Sequence, residues 1–225
     1  MVAQRLAEVR QRVAAAVVQV GRQAEDVTLV AVSKGRSPQA ILQAYEQGQR
    51  DFGENRAQEL AEKAPQLPGD IRWHFIGSLQ TRQAKIARPH TYLLHSLDRT
   101  RLANSWMAAG AAPPALLQIN VAAEPQKHGA NPDEVDELCE GALAAGVRCG
   151  GLMTIPPLAG DPDESRKWFA ALRELRDTLS STYPELADLS MGMTDDFEVA
   201  IQEGATIIRV GRAIFGPSGV PATID

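Results

Sequence analysis

The sequence predicts an α/β fold, a single (β/α)8 TIM barrel with an extra helix in front, and three observations carry that prediction. Short apolar or mixed runs alternate with helical stretches along almost the whole chain without a break. Glycines follow several of the helical stretches, at Gly48, Gly146 and Gly204, where a left-handed cap is expected. Neither GxGxxG nor the phosphate-loop pattern GxxxxGK follows the first strand, as a doubly wound open sheet would favour.

Each element has its own local reason. Leu6, Val9, Val13, Val17 and Val20 recur at three- and four-residue spacing with charges between, which predicts an amphipathic helix ended by Gly21. Val27–Ser33 is short and β-branched, so it reads as a buried strand. Ser37 and Pro38 suit the cap and first turn of a helix that runs to about Gly48. Further strands are expected near Arg50–Gly53, Arg72–Gly77, Tyr92–Ser96, Ala115–Val121, Arg148–Ile155, Leu186–Met191 and Thr206–Gly211. Helices fall between them at Asn55–Lys63, Leu79–Arg88, Asp98–Gly110, Asn131–Gly146, Asp161–Tyr183 and Asp195–Gly204. The whole chain, 1–225, reads as one domain, with a loose terminus after Pro217.

Composition narrows the class of partner. Of 225 residues, 44% are hydrophobic and 23% charged, the balance of an ordinary globular protein. A formal charge of −5 argues against a nucleic-acid backbone as partner, and 5% aromatics leave few stacking platforms. Cys139 and Cys149 form neither a disulfide framework nor a CxxC motif, and they read as small packing residues. The charged N-terminus lacks a signal-peptide core, and no apolar stretch is long enough to span a membrane. A cytoplasmic protein is expected, monomeric because no apolar patch is evident.

Barrel chemistry sits at the C-terminal ends of the strands, with phosphate commonly bound after the seventh and eighth. The first strand ends in Ser33-Lys34-Gly35, and alternation puts Lys34 on the inward face with Val30 and Val32. Burial there would favour a neutral amine fit for Schiff-base chemistry; the plainer reading is a lysine reaching solvent at the rim. In the eighth strand Arg209 interrupts an apolar run and shares a face with Ile207 and Gly211. It needs an anion or acceptor, or else a structural salt bridge to Glu54 or Asp51. Ser190-Met-Gly192-Met-Thr194 opens a helix near Asp195 and, paired with Gly211 and Arg212 in the next loop, suits a phosphate cradle. Asn55 reads as a helix cap or a site residue. His74 reads as a hydrogen-bonded core histidine; His90, His95 and His128 lack ligand spacing, so no metal is expected.

Five blocks then resemble one family: Ala31-Val-Ser-Lys34, Phe52-Gly-Glu-Asn55, Trp73-His-Phe-Ile-Gly77-Ser-Leu-Gln80, Leu189-Ser-Met-Gly-Met193, and Val210-Gly211 with Ala213-Ile-Phe-Gly216. In this order they are similar to the pyridoxal phosphate homeostasis proteins, whose barrel resembles the first domain of alanine racemase, a fold-type III barrel. The resemblance implies pyridoxal 5′-phosphate (PLP) held covalently on Lys34. It implies Asn55 beside the ring hydroxyl and Arg209 facing the pyridine nitrogen. Thr194, Gly211 and Arg212, with Ser190 and Gly192 nearby, would hold the phosphate. Relatives usually carry a small hydroxyl residue where Arg212 stands, which leaves a backbone contact or an added charge pair there. Thr81-Arg82-Gln83 also replaces a more usual Ser-Asn-Lys.

The residues favour a holder over a catalyst, with no catalytic residue assigned. An arginine at the ring nitrogen disfavours its protonation and weakens the electron sink. Racemisation needs a base on each face of the substrate, and the sequence offers no convincing second one beside Lys34. A PLP-binding protein of vitamin B6 and amino-acid homeostasis is therefore expected, with PLP-dependent apoenzymes as recipients. A racemase-like enzyme is the alternative, and a cofactor-free barrel aldolase or isomerase the third reading.

Overall fold

Leu6, Val9, Val13 and Val17 line one side of the first helix, α1 (Val2–Gln19), and all four are buried. Behind it the chain alternates in order: β1 (Thr28–Val32), α2 (Pro38–Tyr45), β2 (Asp51–Glu54), α3 (Ala57–Lys63), β3 (Arg72–Phe75), α4 (Ala84–Ala87) and β4 (Leu93–Leu97). There follow α5 (Thr100–Met107), β5 (Ala115–Gln118), α6 (Val135–Ala144), β6 (Cys149–Met153), α7 (Arg166–Leu179), β7 (Asp188–Ser190), α8 (Phe197–Gln202), β8 (Ile207–Val210) and the short α9 (Arg212–Phe215). The computed structural model describes residues 1–158 and 160–217, so the loose terminus expected after Pro217 lies outside the described residues. Among the described residues, eight parallel strands close into a barrel in chain order, with β8 pairing back onto β1. This is the barrel with an added N-terminal helix that the alternation predicts.

Element ends differ from expectation where local bonding intervenes. The strand expected to reach Val121 stops at Gln118, because Asn120 N–H and Gln118 C=O both turn to Ala130 instead of the barrel ladder. The helix expected over Leu79–Arg88 shortens to α4, flanked by 3-10 turns at Thr81–Gln83 and Arg88–His90. Pro89, with no N–H to donate, prevents its continuation.

Helix α1 packs on α8 and α9 and so covers the seam where β8 meets β1. Arg12 pairs with Glu198 at 2.6 Å and lies over the Phe197 ring, while Arg22 donates to Ala205 C=O. Strand alternation divides the core in two. Ala31, Phe52, Phe75, Leu94, Leu117 and Ile208 face outward into the layer beneath the helices. Val30, Leu93, Leu116, Met153 and Ile207 form a separate buried cluster inside the barrel. Burying each such side chain stabilises the barrel by about 1.5–3 kcal/mol. No helix among the described residues is long and apolar enough to cross a membrane.

Candidate functional site

At the end of β1 the chain turns at Ser33–Arg36, closed by Arg36 N–H donating to Ser33 C=O at 3.0 Å. Gly35 takes φ +67° in this turn, a value that disfavours any side chain. Lys34 therefore stands at the barrel mouth, and it is exposed. This corrects the expectation that burial by the protein readies its amine; the plainer position at the rim is the one observed. The turn beneath it is held firmly. Ser33 N–H donates to Gly53 C=O at 2.9 Å, and Ser33 Oγ donates to Glu54 Oε1 at 2.7 Å. Buried Lys63 donates to Ser33 C=O at 2.9 Å, Glu54 Oε1 at 2.8 Å and Glu59 Oε1 at 2.6 Å. Glu59 Oε1 also accepts from Gly35 N–H at 2.6 Å. Burial pushes the Glu54 carboxyl up from the usual range, and Lys63 opposes that only in part. Glu54 Oε2 is buried without a partner.

Asn55 follows Glu54 at the end of β2. The cap position of α3 belongs to Arg56, so Asn55 is not the helix cap that its type and place suggested. Its Oδ1 is buried and has no hydrogen-bond partner. Gly77 lies against it, where a Cβ would come within 2.3 Å of Asn55 C=O.

On β8, which pairs with β1, Arg209 is 3% exposed. It donates to Ser190 Oγ at 2.6 Å and to Thr154 C=O at 2.9 Å. Neither Glu54 nor Asp51 reaches it, so the salt-bridge reading fails: Glu54 is taken by Lys63 and Ser33, Asp51 by Arg72 and His74. Burial lowers the Arg209 pKa to about 10, with Asp196 opposing the shift, and it stays charged at neutral pH. Ser190 is fully buried, and its hydroxyl is committed to Arg209 and His95. That places it beneath Arg209, rather than among side chains free to bind an anion as the sequence suggested.

The loops after β7 and β8 adjoin. Gly192 has φ +91°, and a Cβ there would lie 2.5 Å from Ala200 Cβ. Gly192 C=O accepts Arg209 N–H at 3.0 Å, which ties the loop after β7 to strand β8. Asp196 Oδ1 accepts Met193 N–H at 2.7 Å, leaving half-buried Thr194 on the turn between. Gly211 sits opposite Val32, where a Cβ would be 3.3 Å from Val32 Cβ, so backbone approaches the mouth closely here. Arg212 forms an exposed ion pair with Asp195, the added charge pair that its departure from the usual residue allowed for. Lys34, Asn55, Gly192, Thr194, Arg209, Gly211 and Arg212 thus come to one end of the barrel. Sequence reasoning gives no site role to Lys63, Thr154 or His95, and takes Asp51 only as a direct partner for Arg209. For His95 a signal existed, since it falls at the inward phase of its strand.

A family model described as the alanine racemase N-terminal domain matches residues 6–219. The pyridoxal phosphate homeostasis protein of Aquifex aeolicus (strain VF5) is 41% identical over 220 residues, covering 95% of this chain and 96% of that protein. The chain belongs to the pyridoxal phosphate homeostasis protein family. The family resemblance carried by the five sequence blocks is thereby borne out. Among solved structures, PipY of Synechococcus elongatus PCC7942, with PLP bound, is 37% identical with a TM-score of 0.81, over 96% of this chain and 100% of that one. Alanine racemase from Corynebacterium glutamicum, 14% identical with a TM-score of 0.73, covers 98% of this chain and 62% of that one, and shares the fold.

Proposed function

We propose that this chain holds PLP at the barrel mouth, covalently through Lys34, and serves vitamin B6 and amino-acid homeostasis rather than turnover of a substrate. The observation that carries this is Arg209: a buried guanidinium with no carboxylate bonded to it among the described residues, at the end of the barrel where Lys34 stands. Such a cation favours a ligand with a lone pair or negative charge. The unpartnered Asn55 Oδ1 and the close backbone at Gly211 fit the same ligand.

Each residue then has a task. Lys34 Nζ supplies the amine, and its linkage forms with loss of water. Arg209, a donor only, faces the pyridine nitrogen and favours its unprotonated state. Asn55 Oδ1 accepts from the ring hydroxyl. Thr194, Gly192, Gly211 and Arg212 hold the phosphate, Arg212 at the cost of its exposed pair with Asp195, which is worth about 1 kcal/mol or less. When bound, PLP supplies an aldehyde and an electron-accepting ring; the donor at its nitrogen keeps that ring a weak sink. We place the protein in the cytoplasm as a monomer that passes PLP to apoenzymes that depend on it.

Absorbance titration tests this reading. Purified protein should take up one PLP per chain with a visible band, and Lys34→Ala should lose that band. A wild-type protein that gains no bound PLP would overturn it.

A further inference from the structure

Inside the barrel, below the mouth, a single file of hydrogen bonds joins Arg209 to Asp51. Arg209 donates to Ser190 Oγ at 2.6 Å, and Ser190 Oγ lies 2.8 Å from His95 Nδ1. His95 Nε2 lies 2.8 Å from His74 Nδ1, and His74 Nε2 lies 3.0 Å from Asp51 Oδ1. All five residues are buried, and β3 and β4 do not neighbour β7 and β8, so the file crosses the barrel interior. At its lower end Arg72 clamps Asp51 through both carboxylate oxygens, at 2.7 and 2.5 Å.

With both histidine rings neutral, the two ends of the file order its protons. Arginine only donates, so Ser190 Oγ accepts from Arg209 and has one hydrogen left to give. Within the file that hydrogen goes to His95 Nδ1, which must then be unprotonated. Burial above all, with the charge of Arg209, pushes the His95 pKa well below its usual value, which keeps the ring neutral. His95 therefore carries its hydrogen on Nε2 and donates to His74 Nδ1. His74 carries its own on Nε2 and donates to Asp51. An ionised carboxylate only accepts, so a neutral His74 must carry its hydrogen on Nε2, which is this same tautomer. Asp51 is ionised: burial opposes it, but hydrogen bonds from Arg72 and His74 prevail and bring its pKa down to about 2. Reversing the file would aim two donors at Ser190 and leave its O–H without an acceptor in the file.

We propose that Asp51, His74 and His95 are positioning residues for the ring-nitrogen end of the cofactor site. They hold Ser190 as a pure acceptor toward Arg209, and so fix Arg209 in one pose with no carboxylate against it. The arginine then meets the ring nitrogen as a donor with undiminished charge. This rests on the reading that PLP binds with its ring nitrogen at Arg209. The charged and titratable groups around the file are Asp51 on β2, Arg72 on β3, Tyr92 against the His74 ring, Arg209 on β8, and Asp196 acting on Arg209.

Asp51→Asn tests the proposal, since its amide can donate to His74 Nε2 and release the file to reverse. Nitrogen-15 NMR of the histidine rings in cofactor-free wild-type protein should show the Nε2–H tautomer for both His74 and His95. In Asp51→Asn both should move toward Nδ1–H. In loaded protein, Asp51→Asn and Ser190→Ala should shift the cofactor absorbance maximum and weaken PLP affinity about three- to tenfold, the worth of one hydrogen bond. Ser190→Ala removes a single oxygen, so it guards against a variant that fails to fold. An Nδ1–H tautomer at His95 in wild-type protein would overturn the file. A loaded wild type whose spectrum and affinity both variants leave unmoved would overturn the positioning role alone, whereas a wild type that takes up no PLP overturns the site reading beneath it.

Discussion

Two buried cations, Lys63 on α3 and Arg209 on β8, are compensated in opposite ways. Lys63, 6% exposed, bonds two carboxylates, Glu54 and Glu59, and the Ser33 carbonyl. Arg209, 3% exposed, bonds a hydroxyl and a carbonyl. In the first cluster the cation is fully compensated by carboxylates, and the cluster holds the turn that carries Lys34. The second is left with charge to spare, and its nearest hydrogen-bonded carboxylate is four links away at Asp51. A saturated cation is structural; an unsaturated one is aimed at something that binds.

That contrast can be broken first at Lys63. Lys63→Ala leaves Glu54 buried without its cation, so a loss of about 3–5 kcal/mol in urea unfolding is expected. A loss below about 1 kcal/mol would show that the cluster is not the clamp inferred here. Arg209→Met should behave in the reverse sense. No bonded carboxylate is stranded, so unfolding should change by about 1 kcal/mol or less, through the Thr154 carbonyl. PLP affinity should instead fall about ten- to a hundredfold, the worth of a hydrogen bond to a charged group. Loss of stability without loss of affinity would make Arg209 a second structural cation.

The comparison is sharpened further by the pH dependence of stability, where the two carboxylates of β2 act in opposite senses. Asp51 has its folded pKa lowered to about 2 from 3.8, so the unfolded chain binds more protons between those values. Its stabilising contribution is present above 3.8 and is lost as pH falls toward 2. Glu54 is raised above its ordinary 4.5, so the folded chain holds the extra proton there and stability falls as pH rises through that range. Urea midpoints across the acid range should show Asp51→Asn flattening the low-pH limb and Glu54→Gln relieving the decline above it. Identical profiles in wild type and both variants would remove the distinction.

Much of this was legible in the chain. The period-two pattern put Arg209 with Ile207 and Gly211 on the inner face, and the structure agrees, because β8 is regular to its end. The same rule, applied to β2, would have turned Glu54 outward with Phe52 and removed it as a partner for Arg209. Lys34 is where alternation ceases to predict: the strand ends at Val32, and the Gly35 turn takes the lysine to the exposed rim. The Asp51-to-Arg209 file was illegible because its members lie 19 to 95 positions apart. Only barrel closure brings Ser190 to His95. His74 was read correctly as a hydrogen-bonded core histidine, but its partners depend on the tertiary fold.

Whether Lys34 is the anchor is tested most directly by reducing PLP-loaded protein with borohydride and mapping the adduct by mass spectrometry. One reduced cofactor per chain on the peptide bearing Lys34, and none on Lys63, is the expected result. An adduct on Lys63 or another lysine, with Lys34 unmodified, would contradict it.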